Sequence, residues 1–249
     1  MLDHSLRKGA FLAFIFSLNC LFFTSTASAA VTSWDFLKGH GGTQTSDSAP
    51  TSITFWDVSI EVDTDLAGDA NAIAISGGGI GGSLSLVRDD PGDTEWYYES
   101  DFNSQAAMDA VFPSDDSYTL TITGGTLDGT TQSFTLGAAN YAPLPHLSGS
   151  TYSNLQMVEF GSELNITLSG PVANHNHTEI EIEESNGDDS AFDVYFDSAV
   201  YQMTLPVASI DINTDYEGYV DHYNFDTVSG AGGFGVDGLV GHDSFTQFS

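Results

Sequence analysis

The sequence predicts an all-β protein built as a β-sandwich, and three observations carry that reading. Past position 30, short runs alternate apolar and polar residues. They are rich in Thr, Val, Ile, Phe and Tyr, and Gly, Asp, Asn and Ser divide them, which is the chemistry of strands and turns. A single stretch reads as helix: residues 104–112, opened by capping residues Asn103 and Ser104 and stopped by Pro113.

Residues 53–62 and 70–76 alternate as strands, a glycine-rich turn over 77–82 leads into 83–87, and 94–100 carries Trp96, Tyr97 and Tyr98. Residues 118–123 and 131–136 read as a hairpin with Asp128 and Gly129 in its loop. The run Tyr141-Ala-Pro-Leu-Pro145 then breaks the rhythm. It separates an N-terminal β-rich domain over 30–142 from a sandwich domain over 143–249, each of ordinary domain size.

Residues 1–29 read as a cleaved signal peptide. Arg7 and Lys8 precede an apolar run over 11–23, and Ala27-Ser28-Ala29 supplies the small-residue cleavage site. The apolar core is shorter than the roughly 20 residues a spanning helix needs, so no membrane insertion is expected after cleavage. The expected location is extracellular, at a cell surface, or periplasmic. The only cysteine, Cys20, leaves with the signal, which excludes disulfides, thiolate metal sites and cysteine nucleophiles from the mature chain.

Charge narrows the partners. The chain carries 35 acidic and four basic residues, a formal charge of −31. Cleavage removes Asp3, Arg7 and Lys8 and leaves Lys38 and Arg88 as the only basic side chains. Nucleic acid and anionic membranes are excluded, because both need clustered Lys and Arg. Self-repulsion on this scale points to salty surroundings or bound divalent cations, calcium foremost. Three aspartate-rich turns offer the oxygen density: Asp63 and Asp65 with Asp69, Asp89 and Asp90 with Asp93, and Asp188 and Asp189 with Asp193. Aspartate in turns also has ordinary backbone reasons.

After Pro145, strands are expected over 155–160, 163–168, 178–184, 191–196, 200–205, 217–225 and 242–248, the density of an Ig-like sandwich. The run Leu205-Pro206, then Ile210 to Tyr216 leading into Glu217-Gly-Tyr-Val220, resembles the approach to the sixth strand of fibronectin type III domains. The resemblance implies that Tyr216 is a tyrosine-corner residue with a structural role, and that the protein is a binding or spacer module.

Between Asn174 and Glu184 histidines and glutamates alternate with isoleucines. On an extended strand His175, His177, Glu179, Glu181 and Glu183 share one face, opposite Ile180 and Ile182. One reading is a metal site of His175, His177, Glu179 and Glu181; the spacing of Gly170, His175, His177, Glu181 and Gly187 loosely resembles the first cupin motif. A second is glycoside hydrolysis, since Glu179-Ile-Glu181-Ile-Glu183 resembles the strand of laminarinase-type hydrolases. That resemblance implies Glu179 as nucleophile and Glu183 as acid/base. The third is a solvent-facing strand with its carboxylates wet. Trp96 and Tyr98 are candidates for stacking on sugar rings. No nucleophile elbow, phosphate loop, dinucleotide fingerprint or zincin motif occurs. The expected function is a secreted, non-catalytic surface, matrix or glycan-binding protein, with a carbohydrate-active hydrolase or a purely structural protein as the alternatives and polysaccharide or cell-surface components as partners.

Overall fold

A computed structural model describes residues 29–155, 164–184, 190–205 and 216–248. The segment read as a signal peptide therefore lies outside the described residues but for Ala29. Among the described residues thirteen strands and two short helices form, and the protein is an all-β sandwich. No helix among them is long and apolar enough to cross a membrane.

The frame is one seven-stranded sheet. Its order is β10 (Ser190–Phe196), β9 (His177–Glu184), β12 (Tyr216–Val228), β13 (Gly238–Phe248), β1 (Val31–Gln44), β2 (Phe55–Thr64) and β5 (Glu95–Phe102). All neighbours are antiparallel except β1 and β13, which run parallel from Asp35 opposite Leu239 to Gln44 opposite Phe248. Strands from both sides of the Tyr141–Pro145 break thus share this sheet.

Two smaller sheets cover one face of it. The first holds β4 (Ser83–Ser85), β3 (Ala72–Gly77), β6 (Asp116–Thr123) and β7 (Thr131–Leu136), and β6 and β7 pair as the expected hairpin. Its Ile73, Ile75, Leu120 and Ile122 pack against Trp34, Phe36, Val58 and Ile60 of the large sheet, with Met108 of helix α1 (Gln105–Val111) and Phe112 beside them. The second sheet pairs β8 (Leu164–Thr167) with β11 (Gln202–Leu205). There Ile166, Leu168 and Met203 meet Ile180, Ile182, Val220 and Phe248.

Between the two cores lies a polar seam, and the Tyr141–Pro145 segment runs along it. Ser244 Oγ donates to the Ala142 carbonyl at 2.7 Å, and Thr246 Oγ1 donates to that of Pro145. Gln44 closes the seam with two hydrogen bonds to the backbone of one residue: its Nε2 donates to the Leu147 carbonyl and its Oε1 accepts from the Leu147 amide, both at 2.8 Å. The prolines make this segment unfit for a strand, and side chains of β1 and β13 take up its backbone groups instead.

Two elements differ from expectation. The central strand β1 is not marked by the alternation rule, because Lys38, Gly39, Gly41 and Gly42 are residues that strands usually avoid. A second helix, α2 (Thr151–Leu155), stands just before the strand expected over 155–160 and takes its first residue, and residues 156–160 lie outside the described residues.

Candidate functional site

Among the described residues no second sheet covers the other face of the seven-stranded sheet, and there the acidic residues converge. In one row Gly39 lies between Asp57 of β2 and Asp243 of β13; Asp57 opposes Asp101 of β5, and Asp243 opposes Tyr223 of β12. In the next, Gly41 lies between Phe55 and Phe245, Phe245 opposes Asp221, and Asp221 opposes Glu179 of β9. These side chains line one cleft, with Asp35, Glu61, Glu99, Glu181 and Tyr219 also on its walls.

The glycines of β1 make the floor. A Cβ on Gly39 would stand 2.2 Å from Asp57 Oδ1 and 2.5 Å from Asp243 Oδ1, so the two carboxylates lean across the glycine from either side. A Cβ on Gly41 would meet the Phe245 ring at 2.2 Å. That ring lies over bare backbone and stacks on Phe55 with centroids 5.7 Å apart.

Glu179 and Glu183 correct the reading of a wet strand. Ile180 and Ile182 do face the core, but Glu179 is 6% exposed and Glu183 7%. The reason is lateral. β9 is an inner strand, with Tyr195 of β10 opposite Glu179 on one side and Asp221 on the other. Tyr223 Oη donates to Glu179 Oε2 at 2.5 Å, and Glu179 also shares a hydrogen bond with Asp193. Burial, then the charge of Glu181, raises the Asp193 carboxyl to about 6.

The structure divides the four residues of the expected metal site. Glu179 and Glu181 line the cleft. His177 stays on the same face, stacked on Tyr195 with centroids 5.7 Å apart and edge-on to Phe225. His175 leaves the row: β9 begins only at His177, Asn174 adopts φ 59°, and the His175 ring stacks instead on His222. The strand alternation begins two residues after His175. Glu183 does not line the cleft, which parts the nucleophile and acid/base implied by the laminarinase resemblance. Tyr216 opens β12, but its side chain lies outside the described residues.

Trp96 and Tyr98 belong to the core. Trp96 is 5% exposed with the Arg88 guanidinium 4.5 Å from its ring, and Tyr98 packs on Phe112. Parity puts Tyr97 on the open face, where its hydroxyl donates to Asp89 at 2.5 Å. The cleft's aromatic rings come from Phe55, Tyr219, Tyr223 and Phe245, which sequence reasoning did not single out. The alternation of Tyr219, Asp221 and Tyr223 was the signal available.

Two of the aspartate-rich turns use their carboxylates on backbone amides. Asp69 accepts from the Leu66 amide, Asp90 from Gly92 and Asp93 from Asp90. Asp188 and Asp189 lie outside the described residues. Among the described residues, one group of carboxylates brings an oxygen from each member within 4.8 Å of the others: Glu61, Asp63 and Glu95. Burial raises Glu61, and the neighbouring Asp35 raises it further; Asp35 is raised by its own burial and then by Asp63.

No protein-family model matches the chain, and no curated protein does. Among solved structures, the FN1-FN3 domains of chicken CNTN1 align at a TM-score of 0.30 and 11% identity, over 82% of this chain and 65% of that one. The human OSCAR ligand-binding domain aligns at 0.22 and 13%, over 82% and 95%. The chain thus spans 65% of the length of the CNTN1 fragment. Both are of the fibronectin III and Ig-like type that the C-terminal sequence resembles, and nothing about function follows at these scores.

Proposed function

We propose that the protein is an exported, non-catalytic binding module that holds a neutral or amine-bearing polysaccharide in the cleft of its open sheet face. The observation that carries this reading is the convergence in one cleft of four aromatic rings with carboxylates from six strands. Aromatic faces stack on the apolar faces of sugar rings, and carboxylates accept hydrogen bonds from sugar hydroxyls and ammonium groups. No lysine or arginine lines the cleft, so uronate and sulfate polymers are repelled. Export rests on the N-terminal signal pattern.

The test is retention of the mature protein on a panel of insoluble glucans, xylan, chitosan and alginate. Retention by a neutral or amine-bearing polymer, lost in a variant of the half-buried cleft ring, Tyr219→Ala, is expected. Retention by none of them, or by alginate alone, would overturn the reading. Buried Glu179, held by a tyrosine hydroxyl beside a second carboxyl, favours a hydrolase as the second reading. Sustained release of reducing ends that Glu179→Gln abolishes would replace binding with hydrolysis.

A further inference from the structure

The register of the seven-stranded sheet sorts the middle of the cleft into two adjoining rows, one ionic and one aromatic. Across the first run Tyr223, Asp243, Gly39, Asp57 and Asp101, on β12, β13, β1, β2 and β5 in turn. Across the second run Phe245, Gly41 and Phe55. Gly39 and Gly41 are two residues apart on β1, so the rows share a face and stand about 7 Å from each other. Without a side chain at Gly39 both aspartates reach over it: the position a Cβ would take lies 2.2 Å from Asp57 Oδ1 and 2.5 Å from Asp243 Oδ1. At Gly41 the Phe245 ring takes that place, 29° from parallel with the ring of Phe55.

Two carboxylates drawn together over one glycine repel each other unless positive charge is shared between them. Beyond residues 1–29 the only basic side chains are Lys38 and Arg88. Lys38 points to the opposite face of β1, where it donates to Asp109, and Arg88 donates to the carbonyls of Ala67 and Asp93 and lies over Trp96. The exported chain thus has no basic side chain to spare for this row. The aromatic row indicates what kind of cation suits the place. A bare metal ion makes no use of phenylalanine rings beside it. An amino sugar brings both an ammonium group for the carboxylates and an apolar ring face for stacking.

We infer that the cleft selects amino-sugar polymers over neutral ones, with the protonated amine of one glucosamine unit held between Asp57 and Asp243 above Gly39 and the ring of an adjoining unit against Phe55 and Phe245. This rests on the reading of the cleft as a polysaccharide site and narrows it to one ligand class. N-acetylation removes the charge and adds bulk at the very atom that the two carboxylates meet, so the acetylated polymer is the disfavoured partner.

The test is a calorimetric titration of the mature protein, in chelator at mildly acid pH, with glucosamine oligomers of defined length and with the same oligomers fully N-acetylated. The glucosamine oligomer should bind about tenfold more tightly than its acetylated counterpart or better. Asp57→Asn and Asp243→Asn should each weaken it about tenfold. Asp128→Asn, which removes an equal charge from the exposed β6–β7 loop and keeps the acceptor for the Gly124 amide, should leave it unchanged. Equal affinity for the two oligomers overturns the inference and leaves the polysaccharide reading standing, as does binding of neither while a neutral glucan is retained. Retention by no polymer at all removes that reading as well. Affinity matched by spermine, or weakened as much in Asp128→Asn, reduces the preference to net charge and also overturns the inference, as does binding that requires calcium. Should either cleft variant fail to fold, the comparison of the two oligomers on the unaltered protein decides.

Discussion

Lys38 is one of four basic residues in the chain and is wholly buried. Its ammonium donates to Asp109 Oδ1 and to the Phe112 carbonyl, both at 2.6 Å, and to Ser114 Oγ at 3.2 Å. These partners lie on and just beyond helix α1, so the lysine pins the helix's C-terminal end to the central strand. Lys38→Met should destabilise the fold by about 2 kcal/mol, read as a lower urea midpoint at constant slope. The cost stays under that of a fully buried pair because Asp109 is 38% exposed. Glu179 is the opposite case. It faces Asp221 directly across two strands, a like-charge pair that costs stability. Glu179→Gln keeps an acceptor for the Tyr223 hydroxyl and removes one charge, so it should stabilise the fold by about 0.5–1 kcal/mol near neutral pH, measured by thermal melting.

Among the elements, the seam segment depends most on one side chain. Gln44 is 1% exposed and satisfies both backbone polar groups of Leu147. Gln44→Ala should cost about 2–3 kcal/mol and speed hydrogen exchange at the Leu147 amide before that of the β6–β7 hairpin. The hairpin, β2, β3, β5 and the inward row Ile180 and Ile182 were legible in the sequence, because alternation and turn residues agree there. β1 was not, since the reasons for Gly39 and Gly41 lie on other strands: two carboxylates lean over one and a phenylalanine ring covers the other. The cleft was half legible for the same reason. Glu179 and Glu181 stand out in the sequence, whereas Asp57, Asp221 and Asp243 become neighbours only through pairings that link distant segments.

On the scale of the molecule, two sets of buried groups set opposite limits on pH. Burial lowers His40, His175, His177, His222 and His242 below their ordinary value. The unfolded chain takes up those protons first, so this share of stability is complete above the ordinary histidine pKa of about 6.5 and is lost as pH falls below it. Asp35, Glu61, Glu95 and Asp193 are raised, chiefly by burial. Their share is present below the unfolded carboxyl range and fades as pH rises, through about 6 for Asp193 and higher for Asp35 and Glu61. Melting temperature should therefore peak near about pH 6 and decline on both sides. Added salt or calcium should lift the alkaline flank more than the acid one, because only there do cations offset carboxylate repulsion.

The parallel partnership of β1 with β13 also fixes when the protein is able to fold. β1 waits inside the sheet for a partner made some 200 residues later, so neither the acidic floor nor the seam exists until β13 has been made. Before then β1, β2 and β5 on one side and β9, β10 and β12 on the other have no strand between them, and their joining waits on β13.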